Sequence, residues 1–490
     1  MSRLKAITEQ RRQKLTKIRK IGINPYPNFY RRTHTTQEVI KLLDNLEKSE
    51  SKETLVSVAG RLIAHRRMGQ ISFMDILDGS GKIQLMSDKS LLDELQQELI
   101  RELDTGDIIG ANGKVFRTKS GEPTVNINTI TLLAKSIQPL PEKWHGLRDI
   151  DLRYRQRYVD LISNPETRKT FRLRSKVITT IRQFLNQRGF LEVETPVLQP
   201  SAGGALARPF ITHHHTLGQD FYLRIAPELH LKRLIIGGFD KVYELGRIFR
   251  NEGISTKHNP EFTMLESYEA YADYNDVMTM LEELIFAITK QVKGVDEIHY
   301  DNHTINLQPP WTRLGLREAI MKFSGIDYMQ YTSKDLLSTQ MQEMGLEVDP
   351  SKNWAHLVDD LLSTFVEPKL IQPTFLVDYP VAMSPLAKTK PGDDHSVERF
   401  EAFIGGMEIA NAFTELNDPL EQRERFIKQQ VEYHSNVENT KVDEGYLVAL
   451  EHGMPPTGGL GIGIDRVVML LTNQTSIREV ILFPQLRDMA

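Results

Sequence analysis

The chain has no cysteine among its 490 residues, which excludes disulfide bonds and thiolate metal sites. No run approaches the roughly 18 apolar residues of a membrane-spanning helix, and the first residues carry no apolar signal core. We therefore expect a soluble, cytoplasmic protein. The chain also lacks an excess of basic residues, since its formal net charge is −4. Any surface that binds nucleic acid must therefore be confined to a part of the chain where basic residues are concentrated.

The length predicts at least two domains, because 490 residues exceed the size at which one hydrophobic core keeps growing. Composition is ordinary for a globular protein, with 40% hydrophobic and 26% charged residues. From changes in pattern along the chain we expect a basic helical extension over 1–50, a β-barrel over 51–138, a linker over 139–160 and a larger domain over 161–490. Within that domain, residues 327–368 are expected to form a helical insertion whose chemistry the sequence does not reveal.

Positive charge is concentrated at the start of the chain. Residues 3–32 carry ten lysines and arginines against one acid, Glu9. Apolar residues recur there at loosely helical spacing, which predicts a basic amphipathic helix that ends before Gly22. Its charged face is either simply solvated or contacts a phosphate backbone.

Five short strand-like segments follow this helix. They lie at 56–60, 72–76, 82–86, 108–115 and 124–133, with a helical segment at 90–103 after the third. Five strands with a helix after the third is the order of an OB-fold barrel, a common binder of single-stranded nucleic acid. A small barrel that serves only for packing would show the same pattern.

The stretch 249–263 lies between two strand-like segments and predicts a long hairpin loop with its own chemistry. Its side chains combine a guanidinium, a carboxylate, a basic pair and an aromatic ring, supplied by Arg250, Glu252, Lys257, His258 and Phe262. Arginine binds carboxylate or phosphate oxygens in a bidentate manner, and a ring can stack on a base. The set suits a nucleoside triphosphate that meets a carboxylic acid; a charged, solvated hairpin tip is the alternative.

Two later segments carry further candidates. Acids lie inside the strand-like segment 401–415, and buried strand positions rarely tolerate carboxylates unless these bind a cation or a donor. Glu401 and Glu408 are therefore candidate Mg²⁺ or ATP ligands, since Mg²⁺ is usually held by one or two carboxylates together with phosphates. A half-exposed strand is the alternative. The glycines of 458–466 do not match the GxGxxG spacing of a dinucleotide site.

Residues 171–196 predict an amphipathic helix that ends at Gly189 and a strand that ends at Pro196. This segment, the stretch 249–263 and the segment 458–466 resemble the class II aminoacyl-tRNA synthetases. Phe-Arg-Asn-Glu at 249–252 with His-Asn-Pro-Glu-Phe-Thr at 258–263 resembles motif 2, and Gly458-Gly-Leu-Gly-Ile-Gly-Ile-Asp-Arg466 resembles motif 3. The predicted helix and strand at 171–196 resemble motif 1, the dimer-forming element of that family. The motifs occur in the family's order. Over nearly the whole chain the similarity is to the lysine-specific branch of subclass IIb, of bacterial type.

This resemblance implies an α+β fold, in which an N-terminal OB-fold β-barrel precedes a class II catalytic domain built as an antiparallel sheet flanked by helices. It implies ligation of L-lysine to tRNA(Lys) through an enzyme-bound lysyl-adenylate, with ATP as the second substrate. The implied cofactor is Mg²⁺, and the implied partners are tRNA(Lys) and a second copy of the chain, with no membrane. An aspartyl- or asparaginyl-type enzyme of subclass IIb, or a non-catalytic nucleic-acid-binding paralogue, are the alternatives.

The resemblance also implies roles for individual residues. The catalytic residues are Arg250 and Arg466. The ATP site comprises Arg250, Glu252, His258, Asn259, Phe262, Glu401, Glu408 and Arg466, with Glu401 and Glu408 as metal ligands. The lysine site comprises Gly204, Glu228, Arg250, Glu266, Tyr268, Asn411, Phe413 and Glu415. The anticodon site in the barrel comprises Phe73, Gln84 and Glu122. An aspartyl-type pocket should present cations where this sequence has Glu228, Glu266 and Glu415.

Overall fold

A computed structural model describes residues 3–48, 54–141, 147, 149–201, 203–204, 207–433 and 442–487. The ends of the predicted extension, the start of the predicted barrel and part of the predicted linker lie outside the described residues. The chain divides into two compact units, Met1–Arg148 and Asp149–Ala490. Among the described helices, none combines the length and the apolar character needed to cross a membrane.

The described residues of the smaller unit form a closed five-stranded barrel with three α-helices. Its strands are β1 Leu55–Met68, β2 Ile71–Leu77, β3 Lys82–Asp88, β4 Ile108–Arg117 and β5 Pro123–Ala134, joined in the order β1-β2-β3-β5-β4. Its helices are α1 Arg3–Lys20, α2 Thr36–Lys48 and α3 Glu94–Glu102. Alternate strand residues such as Val58, Ile76, Leu85 and Ile127 fill the barrel. The predicted helix between the third and fourth strands is α3.

Strand β1 is much longer than its predicted segment, 56–60. Its first half pairs with β4 and its second half with β2; Arg61 takes part in both pairings, and a bulge between Leu62 and Ala64 interrupts the pairing with β2. The second half of β1 was not predicted, because a half-buried strand should alternate apolar and polar residues and the residues after Arg61 include a histidine and two arginines in succession. One bent strand therefore closes two sides of the barrel.

Some of the basic side chains of α1 bind within the smaller unit. The buried Arg11 guanidinium donates to the carbonyl oxygens of Thr105 at 2.9 Å and of Ser136 at 3.1 Å. Lys14 Nζ lies 2.6 Å from a carboxylate oxygen of Asp104. These cations attach the helix to the barrel, so the predicted basic face is only partly open to solvent.

The larger unit has fourteen strands among its described residues, and nine of them form one sheet. Its strands are β6 Leu191–Glu192, β7 Leu198–Gln199, β8 Ile211–His214, β9 Gln219–Leu223, β10 Lys241–Phe249, β11 Glu261–Ala270, β12 Glu297–Tyr300, β13 His303–Asn306, β14 Thr312–Gly315, β15 Thr374–Pro380, β16 Thr389–Lys390, β17 Asp393–Ile404, β18 Met407–Thr414 and β19 Thr457–Gly463. The main order is β14-β15-β17-β18-β19-β11-β10-β6, with β16 paired to β17. The pairs β14–β15 and β6–β10 are parallel and the others are antiparallel.

The described residues of the larger unit also form twelve α-helices. They are α4 Ile150–Arg155, α5 Arg157–Ser163, α6 Pro165–Gln187, α7 Glu228–Ile236, α8 Tyr274–Lys293, α9 Leu316–Ser324, α10 Lys334–Glu343, α11 Trp354–Leu361, α12 Pro419–Tyr433, α13 Glu444–Glu451, α14 Ile464–Thr472 and α15 Ile477–Val480. Among them, α6, α7, α8, α9 and α14 contact strands of this sheet. The segment 327–368, predicted as a helical insertion, holds α10 and α11 and is continued by a π-helical turn, Leu362–Val366.

The strand alternation separates a core face of the sheet from a face that carries polar groups. Helices α6, α8 and α14 cover the core face, where they meet Leu265, Ala412 and Ile462 of the central strands. The neighbouring residues Glu266, Phe413 and Gly461 project to the opposite face. The predicted site residues on these strands share that second face.

Three sequence expectations differ from the structure. The predicted single strand 401–415 is a hairpin, because Gly405 and Gly406 adopt φ of +63° and +70° and turn the chain between β17 and β18. The predicted strand that ends the motif 1 segment, 171–196, contributes only the two-residue β6 to the sheet. The predicted linker 139–160 is helical in its second half, since Asp149 caps α4 and the buried Arg157 donates to the carbonyl of Leu482.

Candidate active site

The polar face of the large sheet forms the floor of a cleft of about 1060 Å³. Most of the predicted catalytic, ATP-binding and lysine-binding residues line it: Gly204, Glu228, Arg250, Glu252, His258, Asn259, Phe262, Glu266, Tyr268, Glu408, Asn411, Phe413, Glu415 and Arg466. Glu401 is not among its lining residues. Residues from five separate segments of the sequence therefore meet in one concave site.

One end of the cleft is strongly acidic and nearly closed to solvent. The exposed fractions of Glu228, Glu266 and Glu415 are 6%, 5% and 1%. Burial, reinforced by the charge of Glu228, raises the pKa of Glu266 to about 8, although a hydrogen bond from the Tyr268 hydroxyl at 3.1 Å opposes the shift. Burial also raises the pKa of Glu415, against the pull of the Lys232 ammonium. Such carboxylates are suited to a cationic ligand that replaces their lost hydration.

Lys232 is a member of this acidic end that the sequence reasoning missed. Its side chain is 0% exposed, and its Nζ lies 2.6 Å from Glu228 Oε1 and also contacts Glu415 Oε2. The charges of Glu228 and Glu415 raise the pKa of Lys232 although burial alone would lower it, so we treat the lysine as an ammonium. The only local signal was the i, i+4 spacing of Glu228 and Lys232 on one helix.

Beside Glu415, the floor of the cleft is formed by the main chain of β19 at Gly459, which has no side chain. A Cβ atom built on Gly459 would lie 1.8 Å from Glu415 Oε1 and 2.7 Å from a ring carbon of Tyr268. Any side chain there would displace both groups, so the close approach of β19 to the acidic end requires glycine. The glycine at 459 thus shapes the acidic end of the cleft.

The other end of the cleft carries cations and a ring. The Arg250 guanidinium lies 5.3 Å from the centre of the Phe262 ring, and its buried Nε donates no hydrogen bond within the described part of the chain. Arg466 donates to the Glu408 carbonyl at 2.7 Å and to its carboxylate at 3.0 Å. Burial and the charge of Arg466 lower the pKa of His258, which favours a neutral imidazole.

Two predicted ATP-site residues are engaged by the protein itself. The Asn259 amide donates to the Glu261 carbonyl at 2.5 Å and accepts from the Gln485 amide nitrogen at 3.2 Å. Glu401 accepts from Arg399 at 2.6 Å and from the Tyr379 hydroxyl at 2.8 Å. The Glu401 side chain is only 13% exposed, and burial raises its pKa to about 7.

The predicted metal ligands nevertheless lie on the same face of the sheet. Glu401 is the cross-strand neighbour of Asn411, which lines the cleft together with Glu408, and the charge of Glu408 raises the pKa of Glu401. The described residues contain no group of three or more potential ligands that could hold a metal ion alone. Two carboxylates combined with the phosphates of a nucleotide are the donor set that Mg²⁺ usually takes, so the residues fit that ion.

Three other residues in or behind the cleft were not predicted from the sequence. Arg399 lies two positions before Glu401 and also donates to the Asn411 side chain at 3.1 Å. His356 reaches the cleft from α11, in the insertion to which the sequence assigned no chemistry. Behind the floor, Arg174 of α6 donates to Asp465 at 2.6 Å and to the Thr263 hydroxyl at 2.9 Å, which joins the motif 1 helix to motifs 2 and 3.

The predicted anticodon residues lie on the barrel. Phe73 on β2 points to the outer face, two residues before Asp75, which is paired in register with Gln84 on β3. Gln84 is buried and accepts from the Thr124 hydroxyl at 3.1 Å, while a Glu122 oxygen lies 3.7 Å from Lys82 Nζ. The barrel therefore presents a ring with polar groups beside it, as a base-binding face requires.

Comparison with known families agrees with both units. The family described as tRNA synthetases class II (D, K and N) matches residues 149–487, and the OB-fold nucleic acid binding domain matches residues 56–133. The sheet and its cleft therefore define the catalytic domain of a class II aminoacyl-tRNA synthetase, preceded by an OB-fold barrel. Both the predicted fold class and the predicted enzyme class are confirmed.

Full-length relatives narrow the class. A lysine–tRNA ligase from Dehalococcoides mccartyi is 58% identical over 486 residues, which cover 98% of this chain and 97% of the relative. A lysine–tRNA ligase from Carboxydothermus hydrogenoformans is 53% identical over 485 residues, which cover 99% of this chain and 98% of the relative. A lysine–tRNA ligase from Moorella thermoacetica is 52% identical over 478 residues, which cover 97% of this chain and 97% of the relative. The chain belongs to the lysine–tRNA ligase family.

Proposed function

We propose that the chain ligates L-lysine to tRNA(Lys) in two steps. Lysine and ATP form an enzyme-bound lysyl-adenylate with release of pyrophosphate, and the lysyl group then passes to the terminal ribose of the tRNA with release of AMP. The observation that carries this proposal is the acidic end of the cleft, where three buried acids, Glu228, Glu266 and Glu415, share one ammonium, that of Lys232, which contacts Glu228 and Glu415. An aspartyl-type pocket needs the opposite balance of charge, because its substrate side chain is an anion.

The length of the cleft suits an amino acid whose carboxylate meets a nucleotide. Gly459, beside Glu415, and Gly463, close to Arg466, lie four residues apart on β19, which separates them by roughly 13 Å. Lysine would place its ε-ammonium at Glu415 and Tyr268, its stem along Phe413 and its α-amino group at Glu228 and Gly204. Glu266 adds a further carboxylate there.

The lysine carboxylate would then lie at Arg250, with assistance from Asn411. It attacks the α-phosphorus of ATP itself, so no protein nucleophile is required, and catalysis consists of positioning and charge stabilisation by Arg250 and Arg466. We propose that Glu252, His258, Asn259 and Phe262 bind the nucleotide. Glu401 and Glu408 would hold Mg²⁺, which neutralises phosphate charge when bound.

The test of this function is ATP–pyrophosphate exchange with a panel of amino acids. Lysine should support exchange, and methionine and leucine should be rejected strongly, because an uncharged side chain leaves a buried carboxylate without a partner. Ornithine keeps the charge but is one methylene shorter, so it should be rejected less completely. Exchange with aspartate or asparagine in place of lysine would overturn the proposal. The cytoplasmic location stays a prediction.

The pH dependence of lysine use should follow Glu266. Because burial raises the pKa of Glu266 to about 8, this acid is mostly neutral at pH 7, and an ammonium ligand binds best after it loses its proton. We therefore expect kcat/KM for lysine, which reports the free enzyme, to rise as pH increases through about 8. Exchange rates measured from pH 6 to 9 check this. In Glu266→Gln the same rise should be absent; if it persists, another group titrates.

We also propose that the OB-fold barrel binds the anticodon and that Phe73 stacks on one of its bases. Phe73→Ala should raise the KM for tRNA about 5- to 150-fold, since one base stack contributes roughly 1–3 kcal/mol, while lysine-dependent exchange stays unchanged. Aminoacylation and exchange are measured side by side, with Leu95→Ala as a control that removes an exposed apolar side chain elsewhere on this unit. An equal fall in both reactions would contradict the assignment.

A homodimer through the motif 1 segment, 171–196, is a further proposal. Exposed apolar side chains at Leu191 and at the adjoining Val197 and Leu198 support it, because such surface favours association. Sedimentation at micromolar concentration should give twice the mass of the chain. A monomer with full aminoacylation activity at that concentration would refute the dimer.

A further inference from the structure

Lys232 lies at the centre of the acidic end of the cleft, yet no step of the proposed reaction uses it. Its Nζ lies 2.6 Å from Glu228 Oε1 and also contacts Glu415 Oε2, and the ring of Phe413 is centred 5.4 Å away. The side chain is fully buried. A buried ammonium is costly unless it is paired, so its position between two substrate-binding carboxylates calls for an explanation.

Each of the two carboxylates meets Lys232 with one oxygen and leaves the other for a ligand. A Cβ atom on Gly204 would lie 3.7 Å from Glu228 Oε2, so this oxygen is directed toward the glycine that lines the cleft. Glu415 Oε1 lies against Gly459 and accepts no hydrogen bond from the described residues. The lysine thus bridges the predicted acceptor of the α-amino group and the predicted acceptor of the ε-ammonium.

The charges around the Lys232 side chain, which bridges Glu228 and Glu415, balance only when the Lys232 ammonium is counted. Glu228, Glu266 and Glu415 supply three negative charges when ionised, and a bound lysine substrate supplies two ammonium groups. The substrate carboxylate is matched separately by Arg250. Lys232 supplies the third positive charge, so the amino-acid end becomes neutral when the substrate binds.

We infer that Lys232 is a positioning residue for the amino-acid substrate, which fixes the separation of the Glu228 and Glu415 carboxylates and balances the third acidic charge of the pocket. This inference rests on the proposed function, because it needs a substrate with two ammonium groups. The lysine side chain does not touch the reacting atoms. It acts through Glu228 and Glu415, and the distance that it sets between their carboxylates selects a substrate by the length of its side chain.

The variant that isolates this role is Lys232→Met, which keeps the length of the side chain and removes its charge. We expect the KM for lysine in ATP–pyrophosphate exchange to rise about tenfold or more, with the KM for ATP little changed, because two buried carboxylates lose their shared partner. The preference for lysine over ornithine should also fall. Lys241→Met is the matched control, since it removes a lysine that pairs with Glu269 at 2.6 Å outside the cleft.

A pH profile separates this role from a merely structural one. The titratable and charged groups that face the bridge are Glu228 on its own helix, Glu266 and Tyr268 on β11, Glu415 after β18, Tyr446 on α13, and Arg250 beside Glu266. The Lys232 charge lowers the pKa of Glu266 and of Glu415, so without the ammonium these two acids lose their protons less readily. The rise of kcat/KM for lysine should therefore shift to higher pH in Lys232→Met, whereas Lys232→Arg, which keeps the charge, should retain the midpoint of the wild-type profile.

The outcomes distinguish this inference from the proposed function. If the unaltered chain does not catalyse lysine-dependent exchange, the proposed function fails. If it does, and Lys232→Met shows an unchanged lysine KM and an unshifted pH profile, only the role of Lys232 is overturned. Should the methionine variant fail to fold, Lys232→Gln is compared with Lys232→Arg. An arginine variant no better than the glutamine variant in lysine KM and midpoint would equally overturn the inference.

Discussion

Glu415→Gln should lower kcat/KM for lysine in ATP–pyrophosphate exchange by about 150- to 5,000-fold, because removing one partner of a buried charge pair costs roughly 3–5 kcal/mol. Glutamine keeps the shape of the side chain and its contact with Gly459 but removes the charge that the ε-ammonium needs. The loss should fall on the use of lysine, and the KM for ATP should change little.

A matched control for this variant is Glu269→Gln. Glu269 lies on β11 but pairs with Lys241 outside the cleft, so its neutralisation should leave lysine-dependent exchange unchanged. Near-normal kcat/KM for lysine in Glu415→Gln would mean that the ammonium is held elsewhere, and the proposed pocket would have to be abandoned.

Arg250→Gln should reduce kcat for lysyl-adenylate formation by about 100- to 1,000-fold. The guanidinium is proposed to bind the lysine carboxylate and to stabilise charge that develops at the α-phosphate, and the loss of one such donor commonly has an effect of this size. Its buried Nε makes no hydrogen bond within the described chain, as expected of a group that faces a ligand. Single-turnover measurements of adenylate formation would separate this loss from weaker lysine binding.

Arg247→Gln is the corresponding control. Arg247 lies on the same strand, β10, with its Nε 3.5 Å from a carboxylate oxygen of Glu261, and it does not line the cleft. Its replacement should leave adenylate formation within about twofold of the unaltered rate, in line with the small contribution of exposed ion pairs. Equal losses in both variants would show that the hairpin is sensitive to any change of charge, and that Arg250 has no special role.

Much of the cleft could be predicted because its residues occur in short, continuous motifs. Glu266 and Tyr268 follow the motif 2 loop on one strand, and the alternation of a strand places both on the same face. The OB-fold barrel was likewise predictable, since its strands are separated by turn residues and its helix follows the third strand. In each case the informative residues are neighbours in sequence.

The remaining features depend on contacts between distant segments. Nothing near Lys232 indicates that its second partner is Glu415, which lies on another element of the sheet. The hydrogen bond from Tyr379 to Glu401 depends on the bulged pairing of β15 with β17. The hairpin turn at Gly405 could not be seen because the residues around it predict one continuous strand. The periodicity of a strand predicts on which face of the sheet a side chain lies. It does not predict which side chain from a distant segment will contact it.

The bare stretch of β19 limits how the amino-acid preference of this enzyme could be altered. At Gly459 the main chain itself touches Glu415 and Tyr268, so directed evolution has no side chain there to exchange for another. Variants that accept a new amino acid should therefore arise at the walls, at positions such as Phe413, Tyr268 and Glu228. For the same reason, an inhibitor that rests on this strand would meet few tolerated resistance mutations beneath it.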